Sequence, residues 1–271
     1  MIIHAVLRSI GLATLAGSVA VGQTHASADS ADTHHRSTVT SAALWATSLM
    51  ATVALVPLDR PVSSELQEPN VQRPDDLHQT VDAFAFFGGP GPFMVGSALI
   101  VAGTATGRMS LTAAGRRITE SVLLAASVTA IGKGIFGRAL PGVETRHEFS
   151  FGRGFHKGNG PFVSFPSGHT AAGFALAAAV SGEVEHVAPN LAKFVTPASY
   201  SAASMIAIAR VYQHVHWPSD LPIAAAIGIW SGRTLEARGH AREVRSKLLD
   251  GLSVLPLSAS SVTIGWSSLI R

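Results

Sequence analysis

The chain of 271 residues carries a formal net charge of +3, only 14% charged residues, 26 glycines and no cysteine. The lack of cysteine excludes disulfides, thiolate catalysis and cysteine-based zinc or iron–sulfur sites. No run of Lys and Arg interleaved with aromatics points to nucleic acid, so the positive balance is expected to serve a local anion site or membrane-flanking segments.

Residues 1–28 read as an export signal. Arg8 precedes the apolar run Ile10 to Val21, and Ala26-Ser27-Ala28 offers small residues for cleavage. Residues 29–38 are polar, include His34-His35-Arg36, and read as a flexible linker. Residues 39–247 read as one helical domain. Its first helix is the uncharged run Val39 to Val56, closed by Pro57. Asp59 to Asp82, rich in proline and mixed charge, reads as an exposed loop that leads to a short helix near Leu77 to Phe87. Gly88-Gly89-Pro90-Gly91-Pro92 then breaks the chain before a second apolar helix, Phe93 to Thr106. This breaker lacks both the preceding strand and the Gly-Lys-Ser/Thr ending of a nucleotide loop.

Ile118 to Phe136 is the third helix. The irregular stretch Gly137 to Phe165 follows, with Arg146, His147, Arg153, His156 and Lys157, and loops of this length are usually functional. Three more helices are read at His169 to Ser181, Val195 to Tyr212 and Pro218 to Leu235. In the tail, residues 248–271, Ser, Val, Thr and Ile alternate around Pro256 and Gly265, the pattern of a short β-hairpin or an irregular cover. Abundant Ala and Gly favour helices packed through small side chains. The expected fold class is therefore all-α, a bundle of about six core helices with the site at one end.

Two signals disagree about a membrane. Most apolar runs fall short of the ~20 residues a spanning helix needs. However, Arg108, Arg116, Arg117, Lys193 and the basic tail Arg233 to Lys247 fall at the helix ends opposite the suspected site, as a positive-inside pattern places them. The reading adopted is an exported, periplasmic helical bundle that lies against the membrane.

The suspected site starts at Phe165-Pro166-Ser167-Gly168-His169-Thr170. A helix that begins there turns unpaired N–H groups and the positive end of its dipole outward, which is what phosphate binds. Ser167 can cap this helix, Gly168 allows close approach to the backbone, and His169 adds a titratable group. Two more clusters stand at suitable places: Lys133, Arg138 and Pro141 at the end of helix three, and Arg210, His216 and Asp220 across the end of helix five and the start of helix six. If the helices alternate in direction, all three meet at one end of the bundle. Arg210 in an apolar helix requires a partner. His214 and His216 alternate as a metal pair might, but the Pro218 and Asp220 context favours a reading without metal.

In these three clusters the sequence resembles the type 2 phosphatidic acid phosphatase superfamily, which also contains bacterial acid phosphatases and vanadium haloperoxidases. The resemblance runs from Lys133 to Asp220 and departs from the family pattern twice. Leu140 stands where an Arg normally precedes Pro141, and Ala209 stands where a Ser usually precedes Arg210. Arg138 matches an earlier Arg of the same motif, and whether it replaces the missing contact stays open at this point.

The resemblance implies an all-α, metal-free phosphomonoesterase in which His216 attacks phosphorus, forming a phosphohistidine. Asp220 would hold the other ring nitrogen, and His169 would protonate the leaving oxygen and then activate water. Lys133, Arg138, Ser167, Gly168 and Arg210 would bind the phosphate. The partner expected is a phosphorylated small molecule or a lipid phosphate at a membrane, with no nucleic acid and no cofactor. Two alternatives remain at this point: a haloperoxidase with vanadate as its cofactor, and a non-catalytic phosphate-binding protein. Phe149, Phe151, Phe155 and Phe162 either shape a leaving-group pocket or pack the long loop down.

Overall fold

A computed structural model describes residues 30–143, 149–156, 160–250, 252–258 and 261–266. The expected signal, together with Arg146, His147 and Lys157, lies outside the described residues. Nine α-helices follow in order among those described: α1 (Ser30–Leu55), α2 (Asp59–Leu66), α3 (Pro69–Gln72), α4 (Asp75–Gly88), α5 (Gly91–Thr106), α6 (Met109–Phe136), α7 (Gly168–Val187), α8 (Pro189–Tyr212) and α9 (Leu221–Asp250). An antiparallel hairpin, β1 (Leu252–Ser258) and β2 (Ser261–Trp266), closes the chain and pairs Leu252 with Trp266. The all-α class holds, with the tail hairpin as its one sheet among the described residues.

Local chemistry explains the breaks. Gly107 (φ 68°) and Gly137 (φ 52°) end α5 and α6 in the left-handed conformation that glycine adopts without a Cβ penalty. Pro69, Pro92 and Pro189 sit in first turns, where the missing N–H costs nothing.

Two readings change. The helix starting at Ser30 runs through the segment expected to be a linker. Asp59 to Asp82 is not an exposed loop but largely helix, and Asp59 itself is 3% exposed. The charge of Asp59 reads as a loop signal only while its buried partners are unknown.

Helix α7 is central. It packs against α6, α8 and α9, with α4 and α5 at its flanks. Its buried face is rich in Ala: Ala171, Ala172 and Ala175 cluster with Ala224 and Ile227 of α9 and with Val122 and Ala125 of α6. Small residues let the backbones approach closely. A Cβ on Gly232 of α9 would stand 2.6 Å from the Ala178 Cβ and 2.8 Å from the Ala175 carbonyl. The far end of the bundle is tied by Arg117 of α6, which is buried and paired with Glu183 of α7, its Nη2 donating at 2.9 Å. Arg117 is therefore an internal ion pair and not one of the surface cations of a flanking belt.

Two helices, Ser41–Leu66 and Met109–Phe136, are long and apolar enough to cross a membrane, and α4 with α5 makes a third if the pair, bent by 57°, counts as one span. Only 6% of the Ser41–Leu66 window is buried within the protein, so its apolar side chains face outward. The apolar runs look short in the sequence because Asp59, Arg116 and Arg117 interrupt them; these residues are accommodated inside helices. The protein is membrane-associated on this architecture.

Replacing Gly232 with Val is expected to force α7 and α9 apart and to cost about 1–3 kcal/mol. Gly160, where an added Cβ meets nothing within 4 Å, should accept Ala without effect. Thermal melting of the detergent-solubilised chain compares the two.

Candidate active site

The start of α7 is built as its sequence suggests. Ser167 is the N-cap in extended conformation (φ −70°, ψ 113°), its Oγ accepting from the Thr170 amide at 3.4 Å and from the Thr170 hydroxyl at 2.9 Å. The first-turn amides of Gly168 and His169 have no helical acceptor, the arrangement that receives an anion. The Ser167 amide donates to the Asp220 carbonyl at 3.4 Å, so the starts of α7 and α9 are joined directly.

Lys133, on the last turn of α6, reaches the same place. Its Nζ donates to the Val163 carbonyl, and its Cε lies 3.9 Å from where a Cβ on Gly168 would stand. Arg210 arrives from the last turn of α8. One terminal nitrogen donates to Gln213 Oε1 at 2.5 Å, while its buried Nε has no hydrogen-bond partner among the described residues. A buried guanidinium N–H without an acceptor is an uncompensated donor, and an anion would satisfy it.

His169 sits on the first turn of α7, where the α4–α5 breaker closes over it. A Cβ on Gly89 would stand 3.2 Å from His169 Nε2, and one on Gly88 would stand 2.9 Å from the His169 Cβ. Glycine is needed here to let the chain pass. Burial first, then the charge of Arg210, the His216 ring and the charge of Lys133, push the His169 imidazole down to about 4. That the same groups bear on His169 shows that the ends of α6 and α8 and the starts of α7 and α9 do converge.

His216 and Asp220 come from the turn between α8 and α9, where Pro218–Asp220 forms a short 3-10 helix. His216 Nδ1 lies 3.5 Å from Asp220 Oδ2. Burial holds the imidazole below its usual value, with Asp220 opposing and Lys133 and Arg210 assisting. Asp220 is fully buried, and burial alone would raise its carboxyl. The His216 contact, the Arg138 charge and the Ser164 bond outweigh burial and hold it below the usual carboxylate range.

Arg138 is not where the sequence reading put it. It is 1% exposed and engaged by acids: Nη1 donates to Asp220 Oδ1 at 2.6 Å and to Ser219 Oγ at 2.7 Å, and Nη2 donates to Asp59 Oδ2 at 2.7 Å. The Phe149 ring lies 4.9 Å from its guanidinium and the Trp217 ring 5.6 Å. It stands behind Asp220, so it clamps a carboxylate instead of binding phosphate. The cations that face the anion site are Lys133 and Arg210.

Three residues unforeseen from the sequence hold this clamp together. Ser164 Oγ donates to Asp220 Oδ2 at 2.5 Å, beside the Trp217 amide at 2.9 Å. Asp59 accepts from the Ser219 amide at 2.9 Å and from its hydroxyl at 2.6 Å. None of the three stands out in the sequence: Asp59 opens the mixed-charge stretch Asp59-Arg60-Pro61, and Ser164 and Ser219 carry no signal.

His214 turns away toward α2, its Nδ1 3.0 Å from Ser63 Oγ. Of the loop aromatics, Phe162 is buried beneath the Arg153 guanidinium (3.9 Å), whereas Phe151 and Phe155 are 75% and 66% exposed. The loop is thus packed down at one ring and open at two.

Residues 114–237 match the family described as the PAP2 superfamily. Lipid A 1-phosphatase of Porphyromonas gingivalis is 35% identical over 103 residues, which cover 38% of this chain and 21% of that protein. Two solved structures are similar in part. LpxE of Aquifex aeolicus aligns at TM-score 0.46 and 22% identity, covering 67% of this chain and 94% of that one. A transmembrane PAP2-type phosphatidylglycerolphosphate phosphatase of Bacillus subtilis aligns at TM-score 0.48 and 19% identity, covering 75% and 96%.

The Asp220 carboxylate raises the affinity of His216 for a proton against the effect of burial. Asp220→Asn should therefore lower the His216 titration midpoint further, read by NMR on ring-labelled histidine. A midpoint that stays or rises would mean that the two residues are not coupled.

Proposed function

We propose, from the match of residues 114–237 to the PAP2 superfamily, that the protein is a metal-independent phosphatase acting on a lipid phosphate or lipid pyrophosphate through a phosphohistidine on His216. The observation that carries this reading is His216 Nδ1 at 3.5 Å from the fully buried Asp220 carboxylate, beside a helix start and an Arg210 Nε with no acceptor among the described residues.

The steps balance on this chain's own groups. His216 Nε2, with Nδ1 turned to Asp220, offers its lone pair to phosphorus, and the bond from phosphorus to the leaving oxygen breaks. Lys133, Arg210, the Ser167 hydroxyl and the first amides of α7 balance the charge on the equatorial oxygens. His169 gives its proton to the leaving oxygen. It then takes a proton from water, whose oxygen displaces His216 and releases phosphate. Burial and the charges of Arg210 and Lys133 hold the His169 imidazole below its usual value, and a phosphate dianion beside it would oppose those charges and favour the proton it must donate. With two cations and a helix terminus against the phosphate, no metal is required to neutralise it.

Several features support a lipid substrate: two helices long enough to span a bilayer, the exposed Phe151 and Phe155 beside the site, and the lipid substrate named for the P. gingivalis relative. We place the site at the outer face of the membrane, because Arg108 and Lys193 lie at the helix ends opposite the site.

A hydrolysis panel tests this reading, comparing soluble aryl and nucleotide phosphates with phosphatidate, phosphatidylglycerol phosphate and undecaprenyl pyrophosphate. Phosphate release should persist in EDTA and favour a lipid. His216→Ala should abolish it without unfolding the protein, and His169→Ala should slow it about 10²–10⁴-fold. A base quench of His169→Ala should retain labelled phosphate on the protein. Activity retained without His216 overturns the assignment. Dye bromination with vanadate and peroxide in place of phosphate release would make the protein a haloperoxidase, and tight phosphate binding without turnover a binding protein.

A further inference from the structure

We infer that Asp59, outside the segment that matches the family, is a positioning residue of the active site: it neutralises Arg138 and thereby leaves the Asp220 charge available to His216. The inference rests on the phosphohistidine reading above for its catalytic consequence, but not for its electrostatic one.

Charge counting makes the argument. Asp59, Arg138 and Asp220 form a buried row, 3%, 1% and 0% exposed, in which the guanidinium bridges the two carboxylates at 2.7 and 2.6 Å. The described partners of Asp59 are all donors: Arg138 Nη2, the Ser219 amide and the Ser219 hydroxyl. That is the pattern of an ionised carboxylate, which accepts and cannot donate. The row therefore carries a net single negative charge, and its Asp220 end faces the imidazole. Without Asp59 the row would be neutral. The full guanidinium charge would then fall on Asp220, and the positive ring that forms when His216 is phosphorylated would lose its counter-charge in a water-poor site where such terms are large.

Asp59 also fixes geometry. By holding the Ser219 amide and hydroxyl it anchors the 3-10 turn Pro218–Asp220, so one carboxylate sets both the position and the effective charge of Asp220. A charged residue inside a helical segment long enough to span a membrane is costly unless paired, and the described partners of Asp59, Arg138 and Ser219, lie on the side of the site. Every other described group that bears on His216, namely Lys133 and Arg210 with His169 beside them, is left in place by changes in the row.

The test uses opposite signs. In the full-length detergent-solubilised chain, the His216 titration midpoint is read by NMR, and kcat and KM are measured on a soluble aryl phosphate. Asp59→Asn should lower the midpoint by about one pH unit and reduce kcat about 10–100-fold with KM little changed. Arg138→Gln should move the midpoint the other way, and the double variant, which restores the net single charge, should return it toward that of the parent. Loss of structure alone cannot produce opposite shifts that cancel. If Asp59→Asn does not fold, the upward shift in Arg138→Gln and its cancellation in the double variant still decide. Midpoints that do not respond to either change, or shift in the same direction, overturn the inference. Absence of phosphate release from the parent protein, with the midpoint shifts as expected, would instead refute the phosphatase reading and leave the charge row standing.

Discussion

The structure depends on one buried carboxylate. Asp220 receives Arg138 on Oδ1 and the Ser164 hydroxyl and Trp217 amide on Oδ2, and still faces His216 at 3.5 Å. Its partners come from the loop after α6, from the segment before α7 and from the turn before α9, and Arg138 extends the set to α2 through Asp59. An ion in this position is tolerable only because nearly every acceptor site on it is used. The same bonds that make it tolerable also assemble the site. Chain segments far apart in sequence are held together where the chemistry is, and the opening of any of them exposes an unpaired charge.

The bundle around it supplies the complementary condition. Alanine faces on α7 and glycines on α9 draw the helices close enough for their ends to meet at one place, while the outward faces of α1 and α6 are apolar. Close packing through small residues suits a setting where burial of large apolar side chains gains little over contact with lipid. Polar groups are accordingly gathered at the two ends. One end has the Arg117 and Glu183 pair, fully matched, as a fastening. The other has Lys133 and Arg210, whose charge the described side chains match incompletely, as an opening for an anion.

Much of this arrangement was legible in the sequence. Helix starts and stops follow from Pro and Gly, and the convergence of the three clusters follows from alternation of helix direction. What the sequence concealed was direction and partnership. Arg138 lies in the motif that should contact phosphate, but its side chain points behind Asp220, and spacing in an irregular loop does not specify which way a guanidinium turns. Asp59 reads as the start of an exposed loop because the stretch to Asp82 is rich in proline and mixed charge; its partners, Arg138 and Ser219, are 79 and 160 residues distant. The long spans were concealed for a related reason. Charges that find internal partners do not end a helix, although they break the apolar run that would reveal it.

The division of cations between two faces of Asp220 gives the site its polarity. Arg138 is locked between two acids, Asp59 and Asp220, and its charge is spent on them. Lys133 and Arg210, facing the helix start, are the cations left for the anion. In the reading proposed above, with Leu140 and not a cation before Pro141, more of the neutralisation of a bound anion would fall on the amides and the dipole of α7, which are fixed in place and cost no reorganisation when charge develops. The helix start at Ser167 is therefore more than an anchor for His169. It is the part of the cradle that substitution of a single side chain cannot remove, and it is held in register by the amide of Ser167 on the carbonyl of Asp220 itself.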